Sequence, residues 1–188
     1  MRASPGVKPW RSAIFCALLA VTGECATSAR ELKTMNPQSA ANAAWLDAVA
    51  PEAIKWYLAQ EARLLKQGRP LAPDEMELAR RMGVQHPEKV RVLVLAQFPF
   101  PDDPELAAQA KALGLSDEAG GFGMGYAVLI KPQFEGQRQL LAHELVHVAQ
   151  RERFGTEAFV RRYLLELKTV GYGRSPLEAE ANRMMQGN

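Results

Sequence analysis

The sequence predicts an α+β domain, mostly helical, with a small β-sheet in its middle. Apolar residues recur at three- and four-residue spacing over residues 45–67 and through most of 137–186. Two short β-branched runs, 89–98 (KVRVLVLAQF) and 126–131, stand between these helical stretches, and proline or glycine marks the junctions.

In chain order, Leu46, Val49, Ala53, Ile54, Tyr57, Leu58, Leu64 and Leu65 fall at helical spacing until Gly68-Arg69-Pro70 stops the pattern. Pro51 lies inside it and lacks the N–H that an interior position donates, so a short helix and a longer one starting near Pro51 are expected. Pro73-Asp74-Glu75 opens a helix to about Met82, and 89–98 reads as a strand. Asp103 followed by Pro104 gives an N-cap and a first helical residue, leading to Leu113-Gly114. The glycine cluster Gly120-Gly121-Phe122-Gly123-Met124-Gly125 lacks the Lys-Ser/Thr of a phosphate-binding loop and precedes a strand, so it is read as a flexible bend entering 126–131. After Pro132 come three helices: 137–154 ended by Gly155, 156–170 ended by Gly171, and 176–186 with Ser175 as N-cap.

The chain has 188 residues and a net charge of +2, but residues 1–34 hold five cations against two acids, which leaves 35–188 at −1. That balance removes the general electrostatic footprint of a nucleic-acid binder. Arg2, Lys8 and Arg11 precede an uncharged stretch, 12–23, and then small residues at 26–29, the layout of a secretory signal peptide. Residues 1–29 are accordingly read as a leader or an over-extended start, and 30–188 as the domain. The leader implies a secreted or periplasmic protein, and a start at Met35 a cytoplasmic one. The apolar run is too short for a stable membrane span, which needs about 20 residues. Thr22-Gly23-Glu24 before Cys25 departs from a lipidation signal. Both cysteines, Cys16 and Cys25, precede the domain, so it has no thiol ligand or nucleophile.

Two of the three histidines stand four residues apart in LLAHELVHVAQ, where His143-Glu144-Leu145-Val146-His147 is an HExxH motif. Four residues apart on a helix, two imidazoles share a face and can converge on one zinc ion. Glu144 is about 100° further round, beside the metal, where it can take a proton from water. His86, before Pro87, is read as a surface residue. An elongated motif with a third histidine is excluded, because the places for its glycine and histidine hold Gln150 and Arg153. A carboxylate must then complete the ligand set, and Glu166, Glu178 and Glu180 are the candidates. Ser175-Pro176-Leu177-Glu178 also fits a capping box, which would commit Glu178 to the helix start. Glu178 and Glu180 lie about 200° apart and cannot both ligate from one face. Tyr163 and Tyr172 are candidate oxyanion donors, with Tyr163 equally suited to the core.

HELVHVAQ, then FVRRYLLEL, then GYGRSPLEAEANR resemble the small HExxH zincin-like proteins of gluzincin type, many known only as domains of unknown function. The resemblance covers about residues 90–184 and is sharpest over 141–150 and 171–182. It implies a zincin-like domain holding one Zn2+, a metallopeptidase activity, and a peptide or protein substrate. In that family the third ligand opens an ExxxD or ExxA pattern; the register falls on Glu178, with Ala181 as the small residue and Asn182 departing from the aspartate. Zincins commonly bind an extended peptide along a sheet edge beside the motif helix, for which 125–131 is the candidate, with the glycine loop as its rim. The readings from other classes are a zinc-binding scaffold or partner module without turnover, and a cytosolic regulator cutting one partner.

Overall fold

Residues 37–115 and 118–187 are described by a computed structural model; the expected leader, both cysteines and Met35 lie outside them. Among the described residues there are six α-helices: α1 (Pro37–Leu64), α2 (Pro73–Arg81), α3 (Pro104–Ala112), α4 (Arg138–Phe154), α5 (Thr156–Thr169) and α6 (Pro176–Gln186). Four short strands, β1 (Arg69–Pro70), β2 (Arg91–Val94), β3 (Gly121–Met124) and β4 (Ala127–Ile130), form one sheet in the order β1-β2-β4-β3. The β2–β4 pair is parallel and the other two pairs are antiparallel. The fold class is therefore α+β, as expected. No described helix is long and apolar enough to cross a membrane.

Three local expectations are corrected. The break at Pro51 does not occur: α1 is one helix of 28 residues with Pro51 inside it. Leu46, Ala50, Tyr57, Glu61 and Leu64 make a continuous buried stripe, and the helix packs along α5. Burial of that stripe outweighs the roughly 3 kcal/mol cost of an interior proline. The helix also begins eight residues before Trp45, in an alanine-rich stretch that carries helix propensity without apolar periodicity. The strand expected over 89–98 is only Arg91–Val94, because its partner β4 ends at Ile130 and Pro132 follows; the Leu95 N–H donates the last bond, to Ile130 O at 2.9 Å. Finally, most of the glycine cluster is not a bend: Gly121–Met124 are β3, an edge strand of the sheet, with Gly125 in the turn that follows, and β4, expected as the edge, lies inside between β2 and β3.

The sheet is covered on both faces. Val92, Val128 and Ile130 pack with Leu78, Leu141, Leu145 and Ala181 from α2, α4 and α6, and with Met82, the residue that caps α2. The alternate residues Leu93, Met124, Ala127 and Leu129 pack with Tyr57, Leu64, Phe159 and Leu164 of α1 and α5. Leu129 is fully buried at the centre of this second face, so Leu129→Ala is expected to cost about 2–5 kcal/mol in urea unfolding; a loss under 1 kcal/mol would mean the face is loosely packed.

The β3–β4 turn is fixed from below by α1. Gly125 takes a positive φ of 64°, its N–H donates to the Tyr57 hydroxyl, and the Tyr126 N–H donates to Glu61 Oε1 at 2.9 Å. A β-carbon at Gly125 would lie 2.1 Å from the Glu61 carboxylate, so only glycine fits. Glu61 is buried and also pairs with Arg151 Nη2, 3.1 Å from both of its oxygens, which joins α1, the turn and α4.

Candidate metal centre

Helix α4 starts after the 3₁₀ turn Pro132–Phe134 and ends at Gly155, whose φ of 79° turns the chain into α5. Its central residues are buried between the sheet and α6, and the motif lies in that buried segment. His143 Nε2 and His147 Nε2 are 3.1 Å apart. Glu178, in the first turn of α6, brings Oε2 to 3.2 Å from His143 Nε2 and Oε1 to 3.4 Å from His147 Nε2. Buried His143, His147 and Glu178 thus lie close enough to bind a metal ion, with one ligand atom from each within 4.8 Å of the others. Glu178 is 2% exposed and its carboxylate meets the two imidazoles inside the fold, a buried anion that a cation would satisfy.

Of the three carboxylates that could complete the set, the structure brings in Glu178 alone. Glu180 turns away from the histidines toward the C-terminal part of α4, where both terminal nitrogens of Arg153 donate to it at 2.9 Å and Gln150 Nε2 donates at 3.1 Å. Glu166 caps α6: its Oε2 accepts from the Ser175 hydroxyl at 2.6 Å and from the Leu177 N–H at 3.0 Å, while Arg162 Nε donates to Oε1 at 2.8 Å. Ser175 Oγ accepts from the Glu178 N–H at 3.3 Å, and the Ser175 N–H donates to Tyr172 O. Half of the capping box is therefore present. The donors that would have drawn the Glu178 carboxylate back are satisfied by Glu166 and the Tyr172 carbonyl, which frees Glu178 to face the histidines. Glu166→Ala is expected to lower stability by about 1–3 kcal/mol and to weaken metal binding roughly tenfold as Glu178 returns to the helix start. Chelator competition checks this, and unchanged affinity would show that Glu178 is held by other means.

Glu144 is 4% exposed and stands apart from the ligand atoms, against β3. A β-carbon built on Gly121 would fall 2.5 Å from Glu144 Oε1, and one on Gly123 would fall 3.3 Å from His147 Cβ. The two glycines, alternating with Phe122 and Met124, present the α4 side of the strand with bare backbone. Burial pushes the Glu144 carboxyl up, and the Glu178 charge adds to it; the charges of His147 and His143 and the Gly123 N–H oppose. At His147 burial disfavours the imidazolium, but the hydrogen bond to Glu178 and the charges of Glu144 and Glu178 prevail and push it up to about 9. At Glu178 burial is overcome by hydrogen bonds from His143 and His147, and the carboxyl lies well below the usual range.

The two tyrosines take different places. Tyr163 donates to Glu178 Oε1 at 2.9 Å and stacks on Phe159, so its hydroxyl is spent on orienting Glu178. Tyr172 lies in the 3₁₀ turn Tyr172–Arg174 and is 56% exposed; desolvation, the charge of Glu178 with a hydrogen bond to it, and the charge of Glu144 raise its phenol, which stays a donor. His86 is half-exposed beside Glu88, away from the cluster, as expected. Sequence reasoning missed the wall formed by Gly121 and Gly123, whose only signal was glycine at alternate positions just ahead of the motif helix. It also missed the hydrogen bonds that Tyr163 and Glu166 direct at α6, which carry no local signal.

No protein-family model, curated protein or solved structure matches the chain.

Proposed function

We propose that the chain is a zinc-dependent peptidase, with His143, His147 and Glu178 as the metal ligands and Glu144 as the general base. The observation that carries this reading is the placement of Glu144: a buried carboxylate with a raised pKa, next to the three ligands but not among them, at the outer strand of a sheet. Zinc in particular is supported by the donor set: two imidazole nitrogens and one carboxylate are ligands that a three-residue catalytic zinc site takes, and here they converge in a buried segment, with the two Nε2 atoms 3.1 Å apart and Glu178 presenting one oxygen to each.

A bound zinc ion supplies Lewis acidity toward a peptide carbonyl and toward water. The chain supplies the rest. Glu144 takes the proton of the attacking water and returns it to the leaving amine, a role favoured by a carboxyl tuned upward by burial. Tyr163 and the α6 cap hold Glu178 in place, and Tyr172 offers a phenol at the rim. An extended peptide laid along β3 would pass beside Glu144 and meet no side chain at Gly121 or Gly123.

The reading without turnover, a zinc-binding partner module, is favoured by one feature: His143, Glu144, His147 and Glu178 are each less than 9% exposed. The zinc content of the purified protein, together with cleavage of casein and of a mixed peptide pool before and after chelation, separates the two. Stoichiometric zinc with cleavage that stops on chelation and returns with zinc supports the peptidase. Stoichiometric zinc with no cleavage of any substrate supports the module, and no zinc at all refutes both.

A further inference from the structure

We propose that Gln150 is a positioning residue of this centre: it dictates which ring nitrogen of His147 faces Glu178, and it holds the helix carrying Glu178 against α4. The inference rests on the metal-site reading and adds to it a residue outside the motif and outside the ligand set.

Gln150 is completely buried, three residues after His147 on α4. Its amide nitrogen is 2.9 Å from the Leu177 carbonyl and 3.1 Å from Glu180 Oε2. A carbonyl and a carboxylate can only accept, so the NH2 must be at that end of the amide. The oxygen is then forced toward His147, 2.8 Å from Nδ1. An amide oxygen can only accept, so Nδ1 carries the proton and donates it. That leaves Nε2, the nitrogen next to His143 and Glu178, to bind an ion through its lone pair. Turning the amide over would set its oxygen against two acceptors, the Leu177 carbonyl and the Glu180 carboxylate, with both of those hydrogen bonds lost in a buried site.

The orientation is anchored from outside. Arg153 holds Glu180 with two bonds, Glu180 holds Gln150, and Gln150 holds His147, so the series runs from the surface to the centre. Leu177 immediately precedes Glu178, so the bond to its carbonyl also fixes where the third ligand leaves α6. One amide thus couples a ligand on α4 to a ligand on α6.

The test uses the full chain loaded with zinc. In wild type labelled with 15N-histidine, the His147 ring is expected to show a protonated, slowly exchanging Nδ1 and a zinc-bound Nε2. Gln150→Met, close in volume but with neither donor nor acceptor, is expected to raise the zinc dissociation constant tenfold to a hundredfold in chelator competition. In that variant the Nδ1 proton should exchange rapidly with water, while the His143 signals keep their positions. Coordination of wild-type His147 through Nδ1 would overturn the proposal, and so would a folded Gln150→Met that binds zinc within threefold of wild type. If that variant does not fold, the wild-type ring spectrum decides by itself. A wild type that binds no zinc fails at an earlier point and refutes the metal centre as well.

Discussion

Glu144→Gln is expected to keep the metal and lose the turnover. The amide has the shape of the carboxylate and can rest on the same bare backbone of Gly121 and Gly123, but it cannot take a proton from water. Since the three ligand atoms belong to His143, His147 and Glu178, the zinc content should stay near one ion per chain and the affinity should change little. Peptide cleavage should fall by about 10²–10⁴-fold, the usual contribution of a positioned general base. Cleavage at the wild-type rate would remove Glu144 from the mechanism. Loss of zinc together with cleavage would make it a ligand, against the geometry.

The second large effect is at the ligands, and it has a pH signature. Glu178→Ala should weaken zinc binding by more than about 100-fold, beyond what partners outside the ligand set are worth. In the metal-free chain, His147 is pushed up to about 9 by its hydrogen bond to Glu178 and the nearby carboxylate charges, against the effect of burial. Below that pH the ring is an imidazolium, and it must give up a proton before it can ligate. Apparent affinity should therefore rise about tenfold per pH unit and level off above pH 9. Glu178 stays ionised throughout this window, because its carboxyl lies well below the usual range. Calorimetry at pH 7 in buffers of different ionisation enthalpy should report about one proton released per zinc bound. No proton release would mean that the His147 ring is already neutral in the metal-free chain at pH 7, and wild-type affinity in Glu178→Ala would remove the third ligand.

The parts of the protein that could be read from the sequence are those whose causes are local. The helix of His143 and His147 was legible because its motif, its apolar frame and its terminal Gly155 fall within one short stretch. The caps Asp103 and Ser175 were legible for the same reason, each bonding an N–H three residues on. Pro51 misled because its cost is local while the burial that outweighs it comes from α5. The glycine cluster misled because glycine marks bends and bare strands alike, and only the position of Glu144 tells them apart. Whether the Glu178 carboxylate turns back to the helix start or faces the histidines could not be settled from Ser175-Pro176-Leu177-Glu178, since the group that takes over the cap, Glu166, belongs to the preceding helix.

The joint at Glu61 carries a consequence for how the protein assembles. His143, His147 and Glu178 come from a single run of helices at the end of the chain, so bringing them together closes short loops. The strand behind Glu144 is held through Glu61, whose bonds to Tyr126 and Arg151 span 65 and 90 residues. Contacts that distant in sequence form more slowly than those among the last three helices. On refolding of the full chain, His143, His147 and Glu178 would therefore come together before the strand behind Glu144 is fixed, with docking of the first helix as the step that separates the two.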